Sequence, residues 1–235
     1  MENNKYEIWE VVRMKGFAVS KDRIIKAKKI ESVLNDYLNK KVTNFKILDI
    51  GAGDGFISSY FITKKNKVTC VDIEDQRIEK KAKFFKVISS KLSFKSDEFD
   101  IVISNHVIEH IKNQKLHLEE IRRVLKKDGV CYIATPNWNF PVEPHYKLPL
   151  IHYLPQKAFV KILKITKLYT ESLYLLSYKE MINLFRDFTI KEYTDEVIKN
   201  PNKYSIKDNL ISKLPPQIIS NIKSIFPTNI FILRK

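Results

Sequence analysis

The chain has 235 residues, enough for one large α/β domain with its own core and too few for two full-sized domains and a linker. Hydrophobic residues make up 44% and charged residues 29%, and no apolar run approaches the roughly eighteen residues that cross a bilayer, so an integral membrane protein is excluded. The net charge of +15 invites a nucleic-acid or anionic-membrane partner, but only seven of the 42 basic residues are Arg, whose fork suits phosphate, and with Ile and Asn also abundant a genome-wide base bias toward Lys is the plainer reading.

Residues 1–44 read as an N-terminal helical cover, with Ile24, Ile25, Ile30, Val33, Leu34, Tyr37 and Leu38 at helical spacing among Lys and Glu. Met1 to Glu7 is polar and acidic, where a secretory signal needs a basic start and an apolar stretch, so a cytosolic protein is expected. The aromatic pair Tyr6 and Trp9 either closes over a ligand or simply packs. Residues 45–135 carry short apolar runs that predict buried strands at Lys46 to Ile50, Lys67 to Ile73, Phe99 to Ser104 and Gly129 to Thr135. Helical patterns separate these runs, which predicts βαβ units and a parallel sheet. Cys70 and Cys131 both sit in such runs, so buried reduced thiols are expected, with neither a disulfide nor a cysteine zinc site.

Residues 136–185 open with a long Pro- and aromatic-rich loop, read as a lid. The helix expected next carries Lys157, Lys161, Lys164 and Lys167 on one stripe with Phe159, Ile162, Leu163 and Ile165 elsewhere. That stripe is either a solvated face or a contact with an anionic membrane or lipid-linked substrate. Residues 186–235 hold two final strands, Phe188 to Glu196 and Ile230 to Leu233, in a hairpin-like ending.

The sharpest signal is Ile47-Leu48-Asp49-Ile50-Gly51-Ala52-Gly53-Asp54-Gly55, an apolar strand running into a glycine turn and a helix. Gly51 suits a tight turn, Gly53 lets a ligand approach backbone, and Gly55 allows close packing of the next helix. A dinucleotide loop would place its third glycine at Phe56, and no Gly-Lys-Ser/Thr follows for a P-loop. Asp49 and Asp54 flank the turn, and two carboxylates repel a diphosphate but suit a cation such as the ammonium or sulfonium of S-adenosylmethionine. Asp72 ends the second strand where an acid can accept both ribose hydroxyls, so adenosine is expected in the ligand.

From roughly Asn44 to Asn137 the chain resembles the class I S-adenosylmethionine-dependent methyltransferases. The resemblance implies a Rossmann-like α/β fold: a seven-stranded, mostly parallel sheet with the helical cover and a lid inserted after strand five. It also implies S-adenosylmethionine as cofactor, with Asp49, Gly51, Ala52 and Gly53 at its methionine end, Asp72 at the ribose, Ile73 beside the adenine and Asn105 completing the set. Leu92-Ser93-Phe94 followed by Phe99-Asp100 matches a family landmark, whereas Ile88 stands where many relatives carry an acid, leaving the adenine to backbone or Ser89. Ser104-Asn105-His106-Val107 lacks the (Asp/Asn)-Pro-Pro-(Tyr/Phe) pattern of amide and base-nitrogen methyltransferases. Thr135-Pro136-Asn137, with the later Glu143-Pro144-His145 and Leu148-Pro149, is similar to ubiquinone-type and cell-surface-glycan O-methyltransferases, implying a small-molecule, lipid or glycan acceptor. Two alternatives stay open: a nucleic-acid methyltransferase, and a cofactor-binding module without turnover.

Methyl transfer from a sulfonium rests on placing the acceptor and excluding water, so no metal is expected, while a hydroxyl acceptor benefits from a base. His106 and His145 are the candidate bases, set against packing or loop hydrogen bonds, and Glu109 with His110 are expected to orient the neighbouring loop. The run His106 to His110 also fits the His-x-x-Glu-His of inverted zinc peptidases, but beside a strand and a glycine loop which a peptidase does not need. Asn137, Trp138, Phe140 and Tyr146 are candidates for the acceptor pocket, with anchoring of the lid as the alternative for the aromatics.

Overall fold

The computed structural model describes residues 20–143, 145–169, 173–207 and 210–235. Tyr6 and Trp9 lie outside them. Helix α1 (Ser20–Leu38) buries Ala27, Ile30, Val33 and Leu34, and lies against α2 (Phe56–Thr63), whose Phe61 is fully buried in the same cluster.

Strands β1 (Lys46–Ile50), β2 (Lys67–Asp72), β3 (Lys83–Lys86), β4 (Phe99–Asn105) and β5 (Leu125–Pro136) are parallel. Two more, β8 (Thr189–Glu192) and β9 (Thr228–Arg234), close the sheet antiparallel in the order β3-β2-β1-β4-β5-β9-β8. This is the expected seven-stranded Rossmann-like sheet. Its strands read as continuous apolar runs because both faces are covered. Ile47, Cys70, Ile101, Ile103 and Tyr132 face α1 and α2, while Leu48, Val71, Val102, Cys131 and Ile133 pack with Leu118, Ile121 and Val124 of α3 (Gln114–Val124). The two cysteines are free and buried on opposite faces, and burial pushes the Cys70 thiol up to about 11.

The expected strand boundaries need three corrections. β3, Lys-Phe-Phe-Lys, went unpredicted because four residues flanked by lysines carry too little alternation to read. β5 starts at Leu125 rather than Gly129, with a register shift opposite Phe99/Ile101 that absorbs the charged Lys126 to Asp128. The strand expected from Phe188 to Glu196 stops at Glu192, because Thr194-Asp195-Glu196 opens a helix, α6 (Thr194–Lys199), with acids in its first turn.

After β5 the chain makes a two-residue-per-strand hairpin, β6 (Val142–Glu143) and β7 (Leu148–Pro149), then α4 (Gln156–Ile165) and α5 (Tyr178–Leu184). The α4 region has its own small core, Ile151, Phe159, Leu163 and Leu173, with Tyr146 packed on it. Helix α7 (Pro216–Ile222) precedes β9. No helix among the described residues is long and apolar enough to cross a membrane. Strand order reverses between β2 and β4 on either side of β1, so a crevice opens past the C-terminal ends of β1 and β4.

Candidate functional site

The turn after β1 is sewn to the end of β2. Gly51 and Ala52 donate their N–H groups to Val71 O at 2.9 and 3.3 Å, and the Gly53 N–H donates to Asp72 Oδ2 at 2.9 Å. Gly53 and Gly55 both have positive φ, +52° and +80°, but their surroundings differ. A Cβ at Gly55 would strike the Glu79 carbonyl, whereas one at Gly53 would meet no atom of the described residues within 4 Å. Gly55 therefore exists for packing, against the 77–79 loop rather than against the sheet, and Gly53 faces open space. At Gly51 a Cβ would come within 2.5 Å of Val107 Cγ2, so the turn abuts the residues just past β4.

Three carboxylates surround this turn, and the structure gives each a different job. Asp49 is buried beneath the loop, where Ser58 Oγ donates to its Oδ2 at 2.5 Å. Burial pushes its carboxyl up to about 7, and the charges of Asp72 and Asp54 add to the shift against the Ser58 bond. Asp72, half-buried, also accepts from Ile73 N at 2.7 Å, and burial raises its pKa despite backbone bonds that favour the anion. Asp54 departs from expectation: Arg23 of α1 pairs with it at 2.8 Å and Phe56 N donates to it at 3.2 Å, so it closes the cover over the loop. Only Asp49 and Asp72 remain for a cation.

Ile73 follows Asp72 and is half-buried, and Asn105 ends β4 beside Ala134. Ser89 lies in the bend after β3 with its hydroxyl accepting from Lys91 N at 3.2 Å, next to an Ile88 that is 75% exposed. The Leu92–Phe94 stretch is held by α3: Glu120 accepts from Leu92 N, and Arg123 donates to the carbonyls of Leu92 and Phe94.

Past β4 the backbone turns sharply. His106 has φ +58°, donates its N–H to Ala134 O at 2.8 Å and places Nδ1 3.3 Å from Glu109 Oε1. Burial depresses the imidazole pKa, assisted by Lys26 and Lys29 of α1 and opposed by Glu109. Glu109 is fully buried and accepts from Thr135 Oγ1 at 3.2 Å. Only Ile108–His110 coils, as a single 3-10 turn, so His106 and His110 do not share the helix which a zinc-peptidase reading requires. His110 instead faces His145 of the β6–β7 hairpin, ring edge to ring face at 5.2 Å. His145 Nδ1 lies 2.8 Å from Glu143 Oε1, and Glu143, fully buried, also accepts from Tyr146 N at 2.6 Å.

The four acceptor-pocket candidates are largely engaged in contacts within the segment that follows β5 and with the run before β9. Asn137 is buried, its amide donating to the carbonyls of Ser224 and Phe226 at 2.7 and 2.8 Å while its Oδ1 accepts from Asn139 N. Trp138 packs on Tyr153 at 4.9 Å and its carbonyl meets His152 Nε2 at 2.9 Å. Tyr146 packs edge-on against Phe159 at 6.0 Å, and Phe140 is half-buried in the turn after Asn137. Arg23, the Glu120–Arg123 pair and the role of Glu143 behind His145 escaped sequence reasoning, since each acts across 28 or more positions or through a loop whose course no local pattern reveals.

Residues 48–133 match the methyltransferase domain family. Over 126 residues the chain is 32% identical to a ubiquinone biosynthesis O-methyltransferase of Pelagibacter ubique, covering 50% of each chain. Over 117 residues it is 28% identical to one from Rickettsia akari, covering 46% of each. The chain thus spans about half the length of the curated relatives it matches. A solved S-adenosylmethionine-dependent methyltransferase from Mesorhizobium loti superimposes with a TM-score of 0.58 at 11% identity, covering 93% of this chain and 99% of that one, a likeness of fold.

Proposed function

We propose, for a chain whose residues 48–133 belong to the class I S-adenosylmethionine-dependent methyltransferase family, that it moves a methyl group from S-adenosylmethionine to an oxygen of a small-molecule, lipid or glycan acceptor. The observation that carries the reading is the open space over Gly53, with Asp72 on one side and Asp49 beneath, at the point where the strand order reverses. Asp72 accepts from backbone N–H groups of Gly53, Ile73 and Glu74, and the two carboxylate oxygens keep acceptor capacity for a ribose hydroxyl. Ile73 supplies an apolar edge for adenine, and the exposed Ile88 leaves its amino group to Ser89 or backbone. Asp49, Gly51, Ala52 and Asn105 complete the cofactor set.

When bound, the cofactor supplies a methyl on a sulfonium leaving group. His106 is the base of this reading: Glu109 holds its Nδ1, its pKa is depressed, and Nε2 is left to receive the acceptor's hydroxyl proton as the new O–C bond forms. Oxygen as the acceptor atom is favoured by the ubiquinone-type relatives. A lipid-like acceptor is favoured by the outer face of the lid, where Leu150, Ile162, Ile165 and Leu168 are exposed beside Lys157, Lys161 and Lys164.

Calorimetric titration of S-adenosylmethionine and S-adenosylhomocysteine into wild type and Asp72→Ala, with NAD as control, tests the cofactor. Micromolar-range binding that is lost in the variant supports the reading. Unchanged affinity in the variant, or a preference for NAD, overturns it.

A further inference from the structure

The lid brings His145 to Glu109 and His110 across a sequence gap that no local motif predicts. One donor atom from each of the three lies within 4.8 Å of the other two. Three features make this more than a chance meeting. The donors are two imidazoles and one carboxylate, the set that borderline divalent ions of the zinc type prefer and that magnesium and calcium, which want oxygen, do not. Glu143, fully buried on β6, engages His145 Nδ1 at 2.8 Å, which leaves Nε2 as the coordinating atom; a carboxylate behind a histidine is how metal-ligating imidazoles are commonly oriented. Thr135 Oγ1 does the corresponding work behind Glu109, donating to Oε2 at 3.2 Å. Donors on a tetrahedral zinc stand roughly 3.3 Å apart, so side-chain rotation of about an ångström closes the set.

We propose that Glu109, His110 and His145 form a zinc-type metal site that ties the β6–β7 hairpin of the lid to the turn following β4. It has three protein ligands and an open fourth position. His106 is not a ligand, but Glu109 is shared, facing His106 Nδ1 at 3.3 Å as well as the metal position, and the metal's role is to fasten the hairpin beside that base.

The test uses the full chain, stripped with a chelator and titrated with Zn²⁺, with Mg²⁺ as control. One equivalent of zinc bound tightly, a raised melting temperature and slowed proteolytic cleavage of the lid are expected, with no response to Mg²⁺. His145→Ala, checked for an unchanged far-UV circular dichroism spectrum, should lower zinc affinity at least 100-fold, and Glu143→Gln should lower it 10- to 100-fold. Co²⁺ in place of zinc should give visible ligand-field absorption that His145→Ala abolishes. Absence of stoichiometric zinc binding overturns the proposal, as does binding that survives both His145→Ala and Glu109→Gln. Because none of these readouts involves S-adenosylmethionine, failure here is distinguishable from failure of the proposed activity.

Discussion

Replacing Gly53 and Gly55 separately by Ala pulls apart two jobs that one glycine-rich turn performs. At Gly53, with φ +52° and no atom of the described residues within 4 Å of the new Cβ, the cost is backbone strain alone. An L-residue in the left-handed region loses about 1–2 kcal/mol, and the stiffer unfolded chain returns about 0.4–1 kcal/mol. The net loss is about 1 kcal/mol, a melting shift of about 2–4 °C at this size. At Gly55 the same strain applies and the methyl also meets the Glu79 carbonyl, whose residue is fixed by its N–H bond to Asp54 O at 3.1 Å. Backbone cannot rotate aside, so the loss should be on the order of 3 kcal/mol or more. Thermal unfolding followed by S-adenosylmethionine titration reads both. Gly53→Ala should fold and lose most of its cofactor affinity, its methyl occupying the space intended for ligand, while Gly55→Ala should be severely destabilised. A Gly53→Ala variant that binds as wild type does, or a Gly55→Ala variant as stable as Gly53→Ala, would refute the division of labour.

Asp49, raised by burial from 3.8 to about 7, is more easily kept neutral in the folded than in the unfolded chain, so its contribution to stability is present below about pH 4 and lost as pH rises through 7. Asp49→Asn, which preserves an acceptor for Ser58, should melt higher than wild type at pH 8 and show a shrinking advantage toward pH 5, with a ceiling on the order of 4 kcal/mol; parallel melting curves across that range would count against it. Once an acceptor is known, the acid limb of kcat should lie below pH 6.5, because burial depresses His106. Glu109→Gln should move that limb lower still while reducing kcat, since Glu109 favours the protonated imidazole; an unmoved limb would remove His106 from the base role. Arg23→Ala leaves Asp54 buried without its cation and should destabilise the α1 cover by about 3 kcal/mol, measured by urea unfolding, whereas a loss below 0.5 kcal/mol would mean solvent already compensates Asp54.

The region from Ile47 to Gly55 was legible because strand, turn and helix are consecutive there, and each residue's environment is set by near neighbours. The fully covered strands were equally legible, since Ile101 to Ile103 and Cys131 to Ile133 must be apolar on both faces. Interactions that form only after the chain returns were not. Arg23 takes Asp54 away from any ligand, Asn137 spends its amide on carbonyls 87 and 89 residues later, and His145 arrives beside His110 through a hairpin of two-residue strands. Each is polar, and polar pairing across loops leaves no periodicity to read.

The position of β9 bears on how the protein is made. β8 is synthesised before β9, yet its one partner in the sheet is β9, which must enter between β5 and β8. Until Thr228–Arg234 has left the ribosome, the open edge of β5 exposes the backbone from Val130 to Pro136, and β8 has nothing to pair with. Closure then joins segments about a hundred residues apart, the kind of non-local pairing that slows folding and leaves a sheet edge open while the chain is unfinished.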